Sequence, residues 1–175
     1  MGGNAPAARD DRSLFLAFYD DALPHVYAYF SARCGERAVA EDLTAETFLA
    51  AVDAARRDEP PPRTLPWIIG VARHKLVDHW RRQAREERRF QLLTEVTPQA
   101  VQPWPAELDA LSVRRAFSTL APQHRAVLTL RYLDDLTVTD VAALLGRSVK
   151  ATEALLVRAR AAFRRCYEGE ETPGA

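Results

Sequence analysis

Cysteine is nearly absent from this sequence: Cys34 and Cys166 are the two, far apart and outside any CxxC spacing. That excludes a disulfide scaffold and a cysteine-rich zinc site, and it points to a reducing compartment, so the expected location is the cytoplasm. Long apolar runs are missing too. Each is broken by Arg or Asp well before the roughly 20 residues a membrane helix requires. The opening MGGNAPAARDDRS has no apolar stretch of leader length, and Pro6 stands where an N-myristoylation motif wants Ser or Thr, so neither a leader nor a membrane anchor is expected. Strand-like alternation is absent, which leaves no basis for a sheet. An excess of either charge is also absent, with 24 basic and 24 acidic residues, and among the basic ones only Lys75 and Lys150 are lysine. What remains is 47% hydrophobic and 27% charged, the composition of a folded chain, and 175 residues allow one ordinary domain or two small ones.

Neutral overall, the chain is polarised along its length. Residues 36–59 carry seven acids (Glu36, Glu41, Asp42, Glu46, Asp53, Asp58 and Glu59) against three arginines, net −4. Residues 73–89 carry seven bases against three acids, net +4, and residues 147–165 carry six bases against Glu153 alone, net +5. A single basic segment is ordinarily a solvated helix face. Two of them, each on a helix and in separate domains, point to a polyanionic partner such as nucleic acid.

The apolar spacing is helical almost throughout, and the fold class read from it is all-α. Leu14 to Tyr19 predicts a short helix, and Pro24 suits the first turn of another that ends at Gly35. A helix over about 37–57 would bury Ala40, Leu43, Thr47, Phe48, Ala51 and Ala55. The proline run at 60–62 stops it. Thr64 is the expected N-cap of a third helix reaching about residue 89, with Trp67, Ile68, Val71, Ala72, Leu76, Val77 and Trp80 on its apolar side. Residues 90–106 hold Pro98, Pro103 and Pro105, no bases and no helical period, and read as a linker. The organisation expected is a disordered tail over 1–12, a helical domain over 13–89, the linker, a second helical domain over 107–168 and a disordered tail over 169–175.

In the second domain, helices are expected near 107–119 and 122–133. Thr137-Val-Thr-Asp140 is a capping box with Asp in place of Glu, Gly146 is a turn, and Ser148 caps a last helix reaching about Tyr167. Two helices of about eight and twenty residues joined by a three-residue glycine turn form a helix-turn-helix.

At this point the chain resembles bacterial sigma factors of the extracytoplasmic-function type, over about residues 14–166. Val26-Tyr-Ala-Tyr-Phe30 resembles the family's opening helix. Ala40-Glu-Asp-Leu-Thr-Ala-Glu-Thr-Phe48 resembles its AEDLTQETF signature. Pro66-Trp-Ile-Ile-Gly-Val-Ala-Arg73 with Asp78-His-Trp-Arg-Arg82 resembles its next conserved run, and Leu120-Ala-Pro with Arg125 to Tyr132 resembles the start of its C-terminal domain. The resemblance implies a non-enzymatic transcription initiation factor with core RNA polymerase and promoter DNA as partners, and commonly an anti-sigma factor. It implies no cofactor, small-molecule ligand or membrane.

The same resemblance assigns residues. Glu41, Asp42, Leu43 and Glu46 would meet the polymerase, although Leu43, with Phe48, reads first as holding the helix to its own core. Arg63, Arg73, His74, Lys75, Asp78, His79, Arg81, Arg82 and Arg85 would handle the −10 element, with the loop 58–65 trapping a flipped base. Asp78, which cannot favour a phosphate, would pair with Arg81 or Arg82 and aim it, or accept a hydrogen bond from a base. Arg147, Ser148, Lys150, Ala151, Glu153, Ala154, Val157, Arg158 and Arg160 would meet the −35 element. The last helix departs from the family's usual run: Thr152 stands for an apolar residue, and Glu153 and Leu155 stand for bases, so a weaker phosphate grip and a different promoter preference are expected. The linker would thread the polymerase cleft, with Trp104 against a domain or the polymerase.

Two other readings stay open. One is a conventional helix-turn-helix regulator that binds operator duplex without polymerase. The other is a helical metal hydrolase using His74, Asp78 and His79, which four nearby arginines and the lack of a fourth ligand disfavour; no metal is expected.

Overall fold

A computed structural model of the chain describes residues 5–57, 59–90 and 110–169, with side chains over 13–57, 59–86 and 111–169. The described residues are helical, and none lies in a strand. The helices are α1 (Ala5–Cys34), α2 (Arg37–Ala55), α3 (Leu65–Phe90), α4 (Ala110–Thr119), α5 (Pro122–Leu128), which runs on as a π-helical turn over Thr129–Leu133, α6 (Val138–Leu145) and α7 (Val149–Tyr167). They fall into two compact units, Met1–Leu76 and Val77–Ala175. The linker and the role expected of Trp104 lie outside the described residues.

In the first unit α1 lies along α2. Two expectations fail in α1. Helix begins at Ala5, inside the stretch expected to be a loose tail, and it continues unbroken through Pro24. Pro24 removes one backbone bond, to the carbonyl of Asp20. Asp20 is exposed, so water can take the donor's place, and the apolar positions on either side share one face. That face buries Ala22, Val26, Tyr29 and Phe30, while α2 buries Ala40, Leu43, Thr44, Thr47, Phe48, Ala51 and Ala54. Tyr19 of α1 meets Phe48 of α2 edge to face, with ring centroids 4.6 Å apart. The two buried threonines cost little, because each hydroxyl donates to the carbonyl one turn back, Thr44 to Ala40 and Thr47 to Leu43, at 2.7 Å. Between the helices Gly35 takes a φ of +76°, the left-handed conformation that closes a helix without steric cost. At the start of α3 the Thr64 hydroxyl accepts a long bond from the Trp67 amide, 3.4 Å.

In the second unit α7 packs against α4, α5 and α6. The core there includes Ala116, Leu120, Val127, Leu128, Leu130, Val141, Leu155, Leu156, Ala159 and Phe163. Phe163 is gripped by Phe117 edge-on and stacks on Tyr167. Arg125 fastens the α4–α5 corner: its guanidinium donates to the carbonyls of Phe117, Ser118 and Leu120 at 3.0, 2.8 and 3.1 Å, orphan acceptors at the end of α4.

The helix-turn-helix forms for the local reasons the sequence carries. The Thr137 hydroxyl accepts from the Asp140 amide at 3.2 Å, which caps α6, and donates to the Asp140 carboxylate at 2.6 Å, so the shorter acid braces the capping side chain. Gly146 turns the chain at φ +61°. Ser148 accepts from the Ala151 amide at 3.2 Å and starts α7. Ala142 is buried at the crossing, as its small size requires.

Candidate functional site

On α2, Glu41 and Asp42 point to solvent. Glu41 Oε1 lies 2.7 Å from Arg37 Nε, and that contact holds the Arg37 guanidinium above its ordinary pKa. Asp42 has no ion-pair or hydrogen-bond partner among the described residues. Glu46 is half-buried and lies 3.4 Å from Lys75 Nζ on α3. Leu43 is only 2% exposed. It belongs to the core and leaves the set of surface candidates, because a residue one helical step from Asp42 faces about 100° away from it. Beside Glu41 an apolar groove between α1 and α2 is walled by Tyr19, Tyr27 and Phe48.

On α3, His74, Asp78, Arg82 and Arg85 are exposed, while Arg73, Lys75, His79 and Arg81 are half-buried. Asp78 Oδ1 lies 3.2 Å from Arg81 Nη1, the i,i+3 pairing that aims a guanidinium along the helix. Arg63, before the helix, sits with its guanidinium carbon 5.8 Å from the Phe15 ring centroid. Trp80 is buried and belongs to the core, while Trp67 is half-buried. No group of three histidine, cysteine or acidic side chains among the described residues could hold a metal ion, and His74, Asp78 and His79 do not converge.

On α7, Lys150, Glu153, Ala154 and Arg158 are exposed, with Arg147 and Ser148 exposed at the turn before them. Ala151, Val157 and Arg160 are half-buried, and Arg160 Nε is buried without a hydrogen-bond partner. Val149, absent from the expected set, is 42% exposed at the first turn of the helix. The signal for it was available: a residue directly after an N-cap serine projects beside the cap, on the leading end of a helix. The departures noted in the sequence resolve in part. Thr152 is fully buried, and its hydroxyl donates to the Ser148 carbonyl at 3.0 Å, so an apolar position carries a polar atom at no cost in unmet bonds. Leu155 is core, so a base is not missing from the exposed face there. Glu153 is the departure that remains on the surface.

Residues 18–86 match the Sigma-70 region 2 family and residues 110–163 match the Sigma-70 region 4 family. The chain belongs to the sigma-70 family of RNA polymerase sigma factors. Its relatives place it in the extracytoplasmic-function group. It is 32% identical over 165 residues to the ECF RNA polymerase sigma factor BldN of Streptomyces coelicolor, a match over 87% of this chain and 60% of BldN. It is 30% identical over 154 residues to the ECF RNA polymerase sigma factor SigL of Mycobacterium tuberculosis, over 80% of this chain and 81% of SigL. The chain thus spans less than two thirds of the length of BldN but most of SigL. In structure it resembles the sigma factor RpoE of Bartonella quintana, solved with the anti-sigma factor NepR, at a TM-score of 0.52 and 20% identity over 93% of this chain and 99% of that one. That likeness extends to the fold.

Proposed function

We propose that this sigma factor binds core RNA polymerase through the acidic face of α2, engages the −10 element with the loop before α3 and the basic side of α3, and reads the −35 element with α7. The observation that carries the reading is Asp42: a carboxylate on the most acidic segment of the chain, exposed and without an ion-pair or hydrogen-bond partner among the described residues. Glu41 lies beside it. An exposed acidic edge next to an apolar groove suits a basic partner surface, which gains both orientation and association rate. Exposed bases on α3 and α7 supply the phosphate contacts that DNA binding needs. The factor works without bond chemistry of its own, in the cytoplasm where polymerase and promoter meet. An anti-sigma factor that covers these faces is the expected regulator, as the resemblance to the extracytoplasmic-function group implies.

The test is co-purification with core polymerase followed by run-off transcription from a promoter library. Asp42→Arg should abolish co-purification while leaving the melting temperature within a few degrees, because the residue is exposed. Wild-type strength binding by that variant refutes the docking assignment. A footprint on duplex DNA by the protein alone, unchanged by polymerase, would instead favour a conventional regulator.

A further inference from the structure

Glu153 is a lone acid on a strongly basic helix. Residues 147–165 carry six bases and this one carboxylate. It is exposed, flanking the face of α7 that buries Thr152, Leu155, Leu156, Ala159 and Phe163. Lys150 stands three residues before it, a spacing at which ion pairs form on helices. Yet neither Lys150 nor Glu153 has an ion-pair or hydrogen-bond partner among the described residues. Among the described residues nothing pairs with the Glu153 charge, and a phosphate backbone would repel it. Its energetic justification at a DNA face is a donor to accept from.

Base edges in the major groove supply one. Cytosine presents its N4 amino group, and adenine presents its N6 amino group next to the N7 lone pair. An ionised carboxylate accepts only, so adenine N7 repels it where the cytosine edge does not. We propose that Glu153 is a specificity-determining residue that accepts from a cytosine amino group. Lys150 donates to guanine O6 or N7 within about one base-pair step, and Val149 lies against a thymine methyl. Lys150 and Glu153 are roughly 4.5 Å apart along the helix axis at 1.5 Å per residue, close to the roughly 3.4 Å step between stacked bases. The Val149 side chain, exposed at the helix start, offers the apolar surface a thymine methyl favours. This inference rests on the assignment of α7 to the −35 element and names what that helix selects.

The experiment uses the full chain bound to core polymerase and a duplex promoter library randomised upstream, with bound DNA sequenced. Wild type, Glu153→Ala and Glu153→Gln are compared. Wild type should enrich a cytosine at one upstream position. Glu153→Ala should lose that preference by roughly fivefold or more, the scale of a good base contact. Glu153→Gln should move the same position toward adenine, because an amide both donates to N7 and accepts from N6. Val149→Ser should weaken thymine at a different position. Both Glu153 replacements alter an exposed side chain, so unchanged melting curves separate a lost contact from a lost fold. If wild type enriches an upstream element and both Glu153 variants enrich the identical one, the inference is wrong while the −35 assignment stands. If wild type enriches no upstream element, the −35 assignment fails and this inference fails with it.

Discussion

Lys75 Nζ on α3 lies 3.4 Å from Glu46 Oε2 on α2. One of these residues was expected to meet polymerase and the other promoter DNA, and in the free protein each occupies the other. The pair ties the two helices across 29 positions of sequence. Both side chains are about a third exposed, at 32% and 40%, so solvent screens the attraction. A double-mutant cycle with Lys75→Ala and Glu46→Ala should return a coupling of about 0.2–1 kcal/mol, the range for partly exposed pairs. A coupling indistinguishable from zero at low salt would make the contact incidental.

The same contact ranks the basic residues of α3. Lys75 must leave Glu46 to reach a phosphate, whereas Arg85 is exposed and uses its Nε only on the Arg81 carbonyl, 3.2 Å away. Arg85→Ala should therefore weaken promoter binding more than Lys75→Ala does. It should also lower the slope of log affinity against log salt by roughly 0.7–0.9, one phosphate contact's worth. Equal losses from the two variants would remove Lys75–Glu46 pairing as a determinant.

Arg125 illustrates what periodicity cannot reveal. It sits in the run whose resemblance to the family was visible, but nothing in the spacing says that one guanidinium collects three carbonyls at the end of α4. That role depends on where a neighbouring helix happens to end. Arg125→Ala should cost about 1.5–3 kcal/mol, the scale of hydrogen bonds from a charged donor, and Arg125→Lys should recover only part, because an ammonium lacks the planar fork. Chemical denaturation gives both numbers. A fully rescued lysine variant would show that charge alone suffices.

Legibility followed the physics of each signal. Helix type, the turn at Gly146 and the caps at Thr137 and Ser148 were readable because they depend on residues within four positions of one another. The break expected at Pro24 did not occur: Asp20, whose carbonyl loses its donor, is exposed, and the packing of the apolar positions on either side carries α1 through the proline. The π-helical turn at Thr129–Leu133 left no mark in the sequence. There the Asp134 amide reaches back five residues to the Thr129 carbonyl, at 3.0 Å. At the candidate site, the acids and bases were named from charge and resemblance, and Leu43 already stood among the apolar positions of its helix, but the pairing of Glu46 with Lys75, 29 positions apart, needed the tertiary structure.

Thr152 gives a sharp comparison with Ser148. The Ser148 carbonyl accepts from both the Thr152 amide and the Thr152 hydroxyl, each at 3.0 Å. Thr152→Val removes only the second bond and keeps the volume, so its cost should stay below about 1 kcal/mol. Ser148→Ala removes the cap on α7 and should cost about 1 kcal/mol, within the usual range for a lost N-cap. If Ser148 also meets DNA, its variant loses promoter affinity beyond what the stability change explains, while Thr152→Val, buried behind the same turn, does not. Thermal melts paired with promoter binding separate the two, and equal affinity losses would mean that Ser148 acts only through the helix.

His124 on α5 makes the second unit sensitive to acid. Burial pushes its imidazole below the ordinary value of 6.5, and the positive charges of Arg158 and Arg165 on α7 push the same way. The folded chain thus holds this histidine neutral to a lower pH than the unfolded chain does. Above pH 6.5 neither state is protonated there, and the group contributes nothing to the pH dependence. As pH falls through 6.5, the unfolded chain takes the proton first, so stability is lost progressively until the folded chain takes it too. Melting temperature should fall as pH is lowered through about 6.5, and His124→Gln should flatten that part of the curve, since it leaves no proton to bind. Arg158→Gln should flatten it partially, by removing one of the two repelling charges while leaving the burial in place. A His124→Gln variant with the wild-type acid slope would trace the loss to other groups. A flattening by Arg158→Gln without one by His124→Gln would show that the arginine acts through something other than this imidazole.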